Sequence, residues 1–442
     1  MKKKLFSFLS KKNEKNNAES SDTCEKGSRF ETVSDFISKY FTAEPEKERV
    51  LREENFDAAG EVYYANVCAW YKVMGRIFLA FLAIFSIISV TVNFKHITYD
   101  NFFFLIKDFS TAVDTESVNY ETLSYDASSE QSFCLYRGGL AVVSRSNVSA
   151  FTATGRRTLN SNDSYSKPYA VSSGKYLLVY DMGDGNMSLY NSFAKVYGEK
   201  LDYPVTAASF SQQGSFAILT RSEKYESEII VYSKDFKKLV NFKRGSFAID
   251  ISLDADAKRL GAIYCDTENG MISTSVVFYD LERHEKTVEY TYVGEFPLSC
   301  SFLDGGGFAA ISDGAVRIFD KALKEKEKSN SYSSGTVSAV WCDENYAAIS
   351  VNDGISGDRN NLVVFDKKGK LIYNDTVRSY VEQLSVCEDY AFIKNADGVL
   401  RIGLSDNSLE QLEAGDGRML VYDGKTALLC AEAKAIYLKF KE

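Results

Sequence analysis

Short apolar runs separated by polar turns recur along most of the chain. Eight of them align: LAVVS from Leu140, LLVYD from Leu177, FAILT from Phe216, LGAIY from Leu260, FAAIS from Phe308, YAAIS from Tyr346, YAFIK from Tyr390 and ALLCA from Ala427. Each is short, rich in aliphatic and aromatic residues, and lies among Gly, Asn, Asp and Ser. A helix needs a longer pattern of period 3.6, so these runs read as strands.

The copies start 37 to 48 residues apart. A second run follows each after a turn: VSAFT, MSLYN, IIVYS, VVFYD, VRIFD, LVVFD, LRIGL and AIYLK. In six of these an aromatic takes the fourth place: Phe151, Tyr190, Tyr232, Tyr279, Phe319 and Phe365. Segments such as FAIDISL and KLIYN add a strand before and after, giving four per repeat. Four short strands every ~40 residues are the signature of a propeller blade. One such sheet cannot bury both faces alone; set radially, each covers its neighbours, and closing the ring removes the open ends.

The last copy ends at AIYLKFKE with no outer strand after it, while SVNYETLSY (117–125) precedes the first with no blade of its own. The expected fold is all-β: a β-propeller of about eight four-stranded blades over 117–442, its N-terminal strand closing the last blade. Seven blades is the alternative count, should one weak terminal repeat do something else.

Ahead of the repeats, IFLAFLAIFSIISVTVNF (77–94) carries no charge. As a helix its 18 residues span about 27 Å, close to the hydrocarbon thickness of a bilayer. It starts too late for a cleaved leader and no small-residue cleavage site follows, so 76–95 reads as a transmembrane signal anchor. The lysines of MKKK, with Lys11, Lys12 and Lys15, favour a cytoplasmic N-terminus by the positive-inside rule. Residues 1–75 then form a cytoplasmic segment, polar and disordered over 1–28 and partly helical over 30–75, where VSDFISKYF and GEVYYANVCAWYKVMG place apolar residues on one face. Residues 96–116 read as a stalk with a short helix, and the propeller lies outside the cytoplasm.

Charge narrows the ligand. The net charge is −9, and the first 75 residues are neutral, so the excess lies in the repeat region. Nucleic acid, which needs clustered positive charge, is excluded as its partner. The two histidines, His96 and His284, are far apart and offer little to a metal site or a proton relay. Six cysteines, Cys134, Cys265, Cys300, Cys342, Cys387 and Cys430, each sit singly in or beside an apolar run, which suits small buried hydrophobes better than disulfides.

The RIFD and VVFD endings resemble the Trp-Asp pair of WD-repeat propellers, with Phe or Tyr in place of Trp and no Gly-His dipeptide ahead. The chain is also similar to quinoprotein-type eight-bladed propellers. It lacks their regular tryptophans, Trp341 being the only one in the repeats, which argues against pyrroloquinoline quinone. The full layout (basic N-terminus, apolar helix, ITYDNFFFLIKDFSTAV, then repeats) resembles a family of uncharacterised membrane-anchored propellers from Gram-positive bacteria. That resemblance implies fold and location and supplies no activity.

No phosphate-binding, nucleophile-elbow or zinc-protease motif occurs. The glycines of DGGGFAAISDG flank a strand, and the Asp and Asn of DMGDGN and NDGISGDRNN lack EF-hand spacing, so all three read as turns. No catalytic residue, cofactor or metal ligand is nominated. The functional hint is the length of three hairpins between first and second runs: RSEKYESE (221–228), CDTENGMISTS (265–275) and VNDGISGDRNN (351–361). In an antiparallel meander they emerge at one rim, and rigidly held loops commonly bind. The candidate rim residues are Arg221, Lys224, Tyr225, Glu226, Asp266, Glu268, Asn269, Asn352, Asp353, Asp358 and Arg359.

The sequence therefore points to a binding or scaffold module of the cell envelope. The membrane is one partner; the propeller would take a protein, peptide or glycan, and 30–75 a cytoplasmic partner. Two other readings stay open: a glycan hydrolase or lyase, and a sensor signalling through the membrane helix.

Overall fold

A computed structural model of the chain describes residues 56–92 and 122–441, apart from 327–329, 332–334, 353 and 355–356. Expectations for 1–55, the stalk and 117–121 lie outside the described residues. The chain divides into two units, 1–98 and 99–442.

The first unit contributes one helix, α1 (Phe56–Val92), of 37 residues. It is about 55 Å long at 1.5 Å per residue. Within it, Ala69–Ser86 is long and apolar enough to cross a membrane, and only 6% of that window is buried in the protein. Phe78, Leu79, Phe81 and Phe85 are all exposed. The sequence reading separated a cytoplasmic patch from the membrane helix at Arg76. Here one helix runs through that boundary, because nothing between Phe56 and Val92 breaks it.

The second unit is an eight-bladed β-propeller, every blade an antiparallel sheet of four strands. In chain order the blades are 1 (131–161), 2 (168–200), 3 (207–244), 4 (247–293), 5 (297–331), 6 (336–378), 7 (383–413) and 8 (418–439 with 122–124). The seven-bladed alternative is excluded. The first strand of each blade lies against the first strand of the next, so first strands are innermost and fourth strands form the outer rim.

Burial follows this order. Second strands such as Leu177–Asp181 and Phe308–Ser312 are buried at every position, which is why they read as unbroken apolar runs. Outer strands such as Leu409–Glu413 alternate between exposed and half-buried. The core is a set of layers between blades: Ala217, Leu219, Ile229 and Val231 of blade 3 meet Leu260, Ala262, Val277 and Tyr279 of blade 4. Burying each leucine, isoleucine or valine among them is worth about 1.5–3 kcal/mol, so each blade draws much of its stability from its neighbours.

The repeated aromatic-Asp pair has two separate jobs. Each aromatic is buried opposite the start of the second strand, as in Leu140↔Phe151, Phe308↔Phe319 and Phe216↔Tyr232, the last pair stacked at 4.6 Å. The following side chain builds the turn into the outer strand. Asp366 accepts the backbone N–H groups of Lys368 and Lys370, and Asp320 those of Ala322 and Lys324. Asn191 does the same for Phe193 and Ala194. The WD-like motif is thus a packing anchor joined to an Asx turn.

Ring closure is as the sequence implies. Thr122–Ser124 pairs with Lys434–Lys439 as the outer strand of blade 8. Leu123 is buried among Phe133, Leu140, Leu428 and Ala435, and the Tyr125 hydroxyl donates to the Ala431 carbonyl at 2.5 Å. At the other terminus, Arg401 donates to the carbonyls of Gly424 and Lys441 and pairs with Glu410 at 2.8 Å.

Between blades 4 and 5, Asp250 is held by the Ser299 hydroxyl at 2.8 Å and the Cys300 amide at 3.0 Å. Burial raises its pKa above the usual 3.8, outweighing these hydrogen bonds. The folded state therefore holds this proton more tightly than the unfolded chain. The group contributes its stability fully below the unfolded value and loses it as pH rises through the folded one. The Asp250→Asn variant should show a flatter stability profile from about pH 4 upward than the parent, measured by urea unfolding at stepped pH. An unchanged slope would remove Asp250 from the pH dependence.

Candidate binding cleft

Hairpins between second and third strands, together with the links from one blade to the next, all emerge on one face, here termed the hairpin face. The closing strand Thr122–Ser124 runs toward this face, with Thr122 at its far end.

The three long hairpins do not form one site. Two of them extend the sheets instead of forming loops. Phe216–Ser222 and Tyr225–Tyr232 leave only Glu223 and Lys224 as the turn, and Arg259–Glu268 pairs with Met271–Asp280 around Asn269-Gly270. Both turn residues of that second hairpin have positive φ, 52° and 79°, the geometry that Asn-Gly accommodates. Arg221 lies over the Tyr203 ring, and Lys224, Tyr225, Glu226 and Glu268 are exposed. Asp266 accepts from Ser246 at 2.6 Å and pairs with Arg244 at 3.4 Å; the Ser246 hydrogen bond is the chief cause of its lowered pKa.

The third hairpin, on blade 6, is a true loop between Tyr346–Asn352 and Arg359–Asp366. Asn352 ties it together, donating to the Gly357 carbonyl at 2.7 Å and accepting the Gly354 amide. Asp353 lies outside the described residues. Arg359 is exposed opposite Arg378. Asp358 points toward blade 7, its Oδ1 buried with no hydrogen-bond partner among the described residues.

Asp358 belongs to a cleft between blades 6 and 7. One cavity of about 650 Å³ runs between the outer strand of blade 6 and blade 7. A second, of about 600 Å³, opens beside it toward the inner strand of blade 6. Tyr380, in the link between the two blades, lines both and is 60% exposed. A side chain at Gly357 would stand 2.9 Å from the Tyr380 ring, so this glycine lets the ring lie against the loop.

A buried polar network holds the floor. Lys394 is 1% exposed and donates to Glu382 at 3.0 Å and to the Asn395 carbonyl at 2.5 Å. Asn395 donates to the Ser379 hydroxyl at 2.8 Å. Asn360, also 1% exposed, donates to the Ser379 carbonyl and accepts from Ser338. Burying a lysine costs several kcal/mol unless it is paired, so the chain commits Glu382 and the Asn395 carbonyl to it.

Sequence reasoning placed Asn352, Asp358 and Arg359 at this rim and missed Tyr380, Glu382, Lys394 and Asn395. One signal was present. Among the eight aligned runs only LLVYD and YAFIK end in a charged residue. Asp181 proves structural, accepting the amides of Ser166, Lys167 and Gly183. Lys394 is the one at the cleft.

The cysteines are free among the described residues. Burial pushes the thiols of Cys134 and Cys430 up to about 12, and those of Cys300 and Cys342 well above their ordinary value. Such thiols are unreactive hydrophobes. No group of three or more His, Cys, Asp and Glu residues suited to a metal ion occurs among the described residues.

Solved structures share the fold at low identity. Saccharomyces cerevisiae Sqt1 matches with a TM-score of 0.52 at 10% identity, covering 72% of this chain and 97% of that one. The computationally designed Ika8 protein matches with a TM-score of 0.49 at 12% identity, covering 72% and 99%. The Pan2 WD40 domain of Neurospora crassa matches with a TM-score of 0.43 at 10% identity, covering 61% and 88%. Comparison with curated proteins gives no match. Residues 112–408, from before the closing strand to the third strand of blade 7, match the model of a family of unknown function, and the chain is a member of that family, DUF5711.

Proposed function

We propose that the protein is a single-pass, membrane-anchored binding or scaffold module whose propeller faces the outside of the cell. The observation that carries this reading is the pairing of an unburied apolar helix with a closed propeller that has an open cleft of mixed lining. The membrane would hold Ala69–Ser86 or the overlapping stretch 77–94, and the lysines near the N-terminus set the orientation. The repeat region carries the negative charge, so the ligand is an envelope protein, a peptide or a glycan in preference to a polyanion.

Protease applied to intact cells tests the orientation. The propeller should be released or digested while a cytoplasmic control protein stays whole. Complete protection of the propeller, with a known surface protein degraded in the same sample, would reverse the topology.

A further inference from the structure

We propose that the cleft between blades 6 and 7 binds an uncharged carbohydrate chain, with Tyr380 as the platform for one sugar face. The inference rests on the reading of the propeller as a binding module and names the ligand class of that site.

Three features of the cleft point to this chemistry. Tyr380 stands 60% exposed where the two cavities meet, and an exposed aromatic ring can pack against the C–H surface of a sugar. Around it the lining mixes acceptors and donors, with Asp358, Asp375 and Asp397 beside the amides of Asn395, Asn407 and Gln411. Neutral hydroxyls, which both donate and accept, satisfy such a mixture. Asp358 lies on the cavity wall, and its Oδ1 has no hydrogen-bond partner among the described residues. Each cavity falls in the range of about 300–1,000 Å³ typical of small-molecule sites.

Charge disfavours an anionic ligand. Among the described residues, Arg378 is the only cationic side chain lining the larger cavity, against three carboxylates. An anionic polymer would meet repulsion there. A cationic peptide would suit the carboxylates, and the tetralysine arm of the test separates it from a neutral sugar.

The floor is built for a fixed geometry. Lys394, Asn360 and Asn395 are at least 94% buried and bonded to one another's neighbours through Ser379 and Glu382. A chain that buries such groups under an open cleft, where apolar residues would be cheaper, holds the lining in place for recognition.

The test uses the full-length protein in lipid nanodiscs, titrated by calorimetry with tetra-N-acetylchitotetraose, maltotetraose and a tetralysine peptide. Saturable binding of at least one oligosaccharide is expected. It should weaken roughly tenfold or more in Tyr380→Ala and stay within about threefold in Tyr380→Phe. Tyr380 is exposed, so both variants should fold, and unchanged melting confirms it. Binding of neither sugar overturns the inference, as does sugar binding indifferent to Tyr380→Ala. Tyr380-dependent binding of the peptide alone would make the cleft a peptide site. None of these outcomes depends on orientation, so failure here leaves the membrane topology standing, and a reversed topology leaves the sugar result standing.

Discussion

Replacing Leu123 by Asp should open the ring. Leu123 is the central residue of a closing strand only three residues long, and its side chain is 6% exposed among residues of blades 1 and 8. The substitution removes a buried leucine and puts a carboxylate in its place without a partner, at a cost of about 4 kcal/mol. Much of that cost appears as loss of closure, because the backbone pairing at Thr122↔Ile436, Leu123↔Ala435 and Ser124↔Lys434, continued by the Tyr125 amide on the Ala433 carbonyl, covers this edge of blade 8. Denaturant unfolding of the full-length protein should show the loss. Hydrogen exchange should show protection falling first in Lys434–Lys439, the strand left at the edge. The neighbouring Thr122 is exposed, and Thr122→Asp should change stability by less than about 0.5 kcal/mol. Equal effects from the two substitutions would mean that the strand does not close the ring.

The ring was legible in the sequence because a blade's second strand must bury both faces. That requirement writes an unbroken apolar run such as FAAIS once per blade, and eight runs gave eight blades. Closure was legible from a mismatch at the ends, a strand without a blade and a blade without a strand. The hairpins were harder. Residues 221–226 and 267–272 are largely exposed beyond the core, and their polarity resembles a loop although most of the backbone stays paired. The charged stretch KALKEKEK stands where the repeat places an outer strand; among the described residues it forms the Phe319↔Glu325 bridge, and the strand itself is Asn330–Ser331. Alternating charge at an edge marks exposure and leaves pairing undetermined. The cleft was legible in part. Asp358 and Asn352 were visible on the blade 6 loop, but Tyr380 and Lys394 come from the next link and the next blade. Their convergence depends on how neighbouring blades face each other, which no local pattern records.

The ion pair beneath the cleft should respond asymmetrically to substitution. Glu382 is half-exposed and Lys394 is buried, so the two partners have different alternatives when separated. The Glu382→Ala variant leaves the ammonium with the Asn395 carbonyl alone, still out of water. The expected cost is about 2–3 kcal/mol, at or below the usual 3–5 for breaking a fully buried pair, since water can reach the Glu382 side. The Lys394→Met variant keeps the volume, removes the charge and lets Glu382 turn to solvent. It should be neutral within about 1 kcal/mol, or stabilising. The double variant should then recover most of the loss seen in Glu382→Ala, giving a coupling energy of about 2 kcal/mol in a denaturant cycle on the full-length protein. Equal losses from the two single substitutions would mean that the pair contributes to stability as a unit, and the case that Lys394 is retained for the cleft would fall. The Lys394→Met protein carries the sharper consequence. If it is as stable as the parent, yet its Asn395 carbonyl and Glu382 are no longer held, then any loss of ligand binding separates the site's geometry from the stability of the blade.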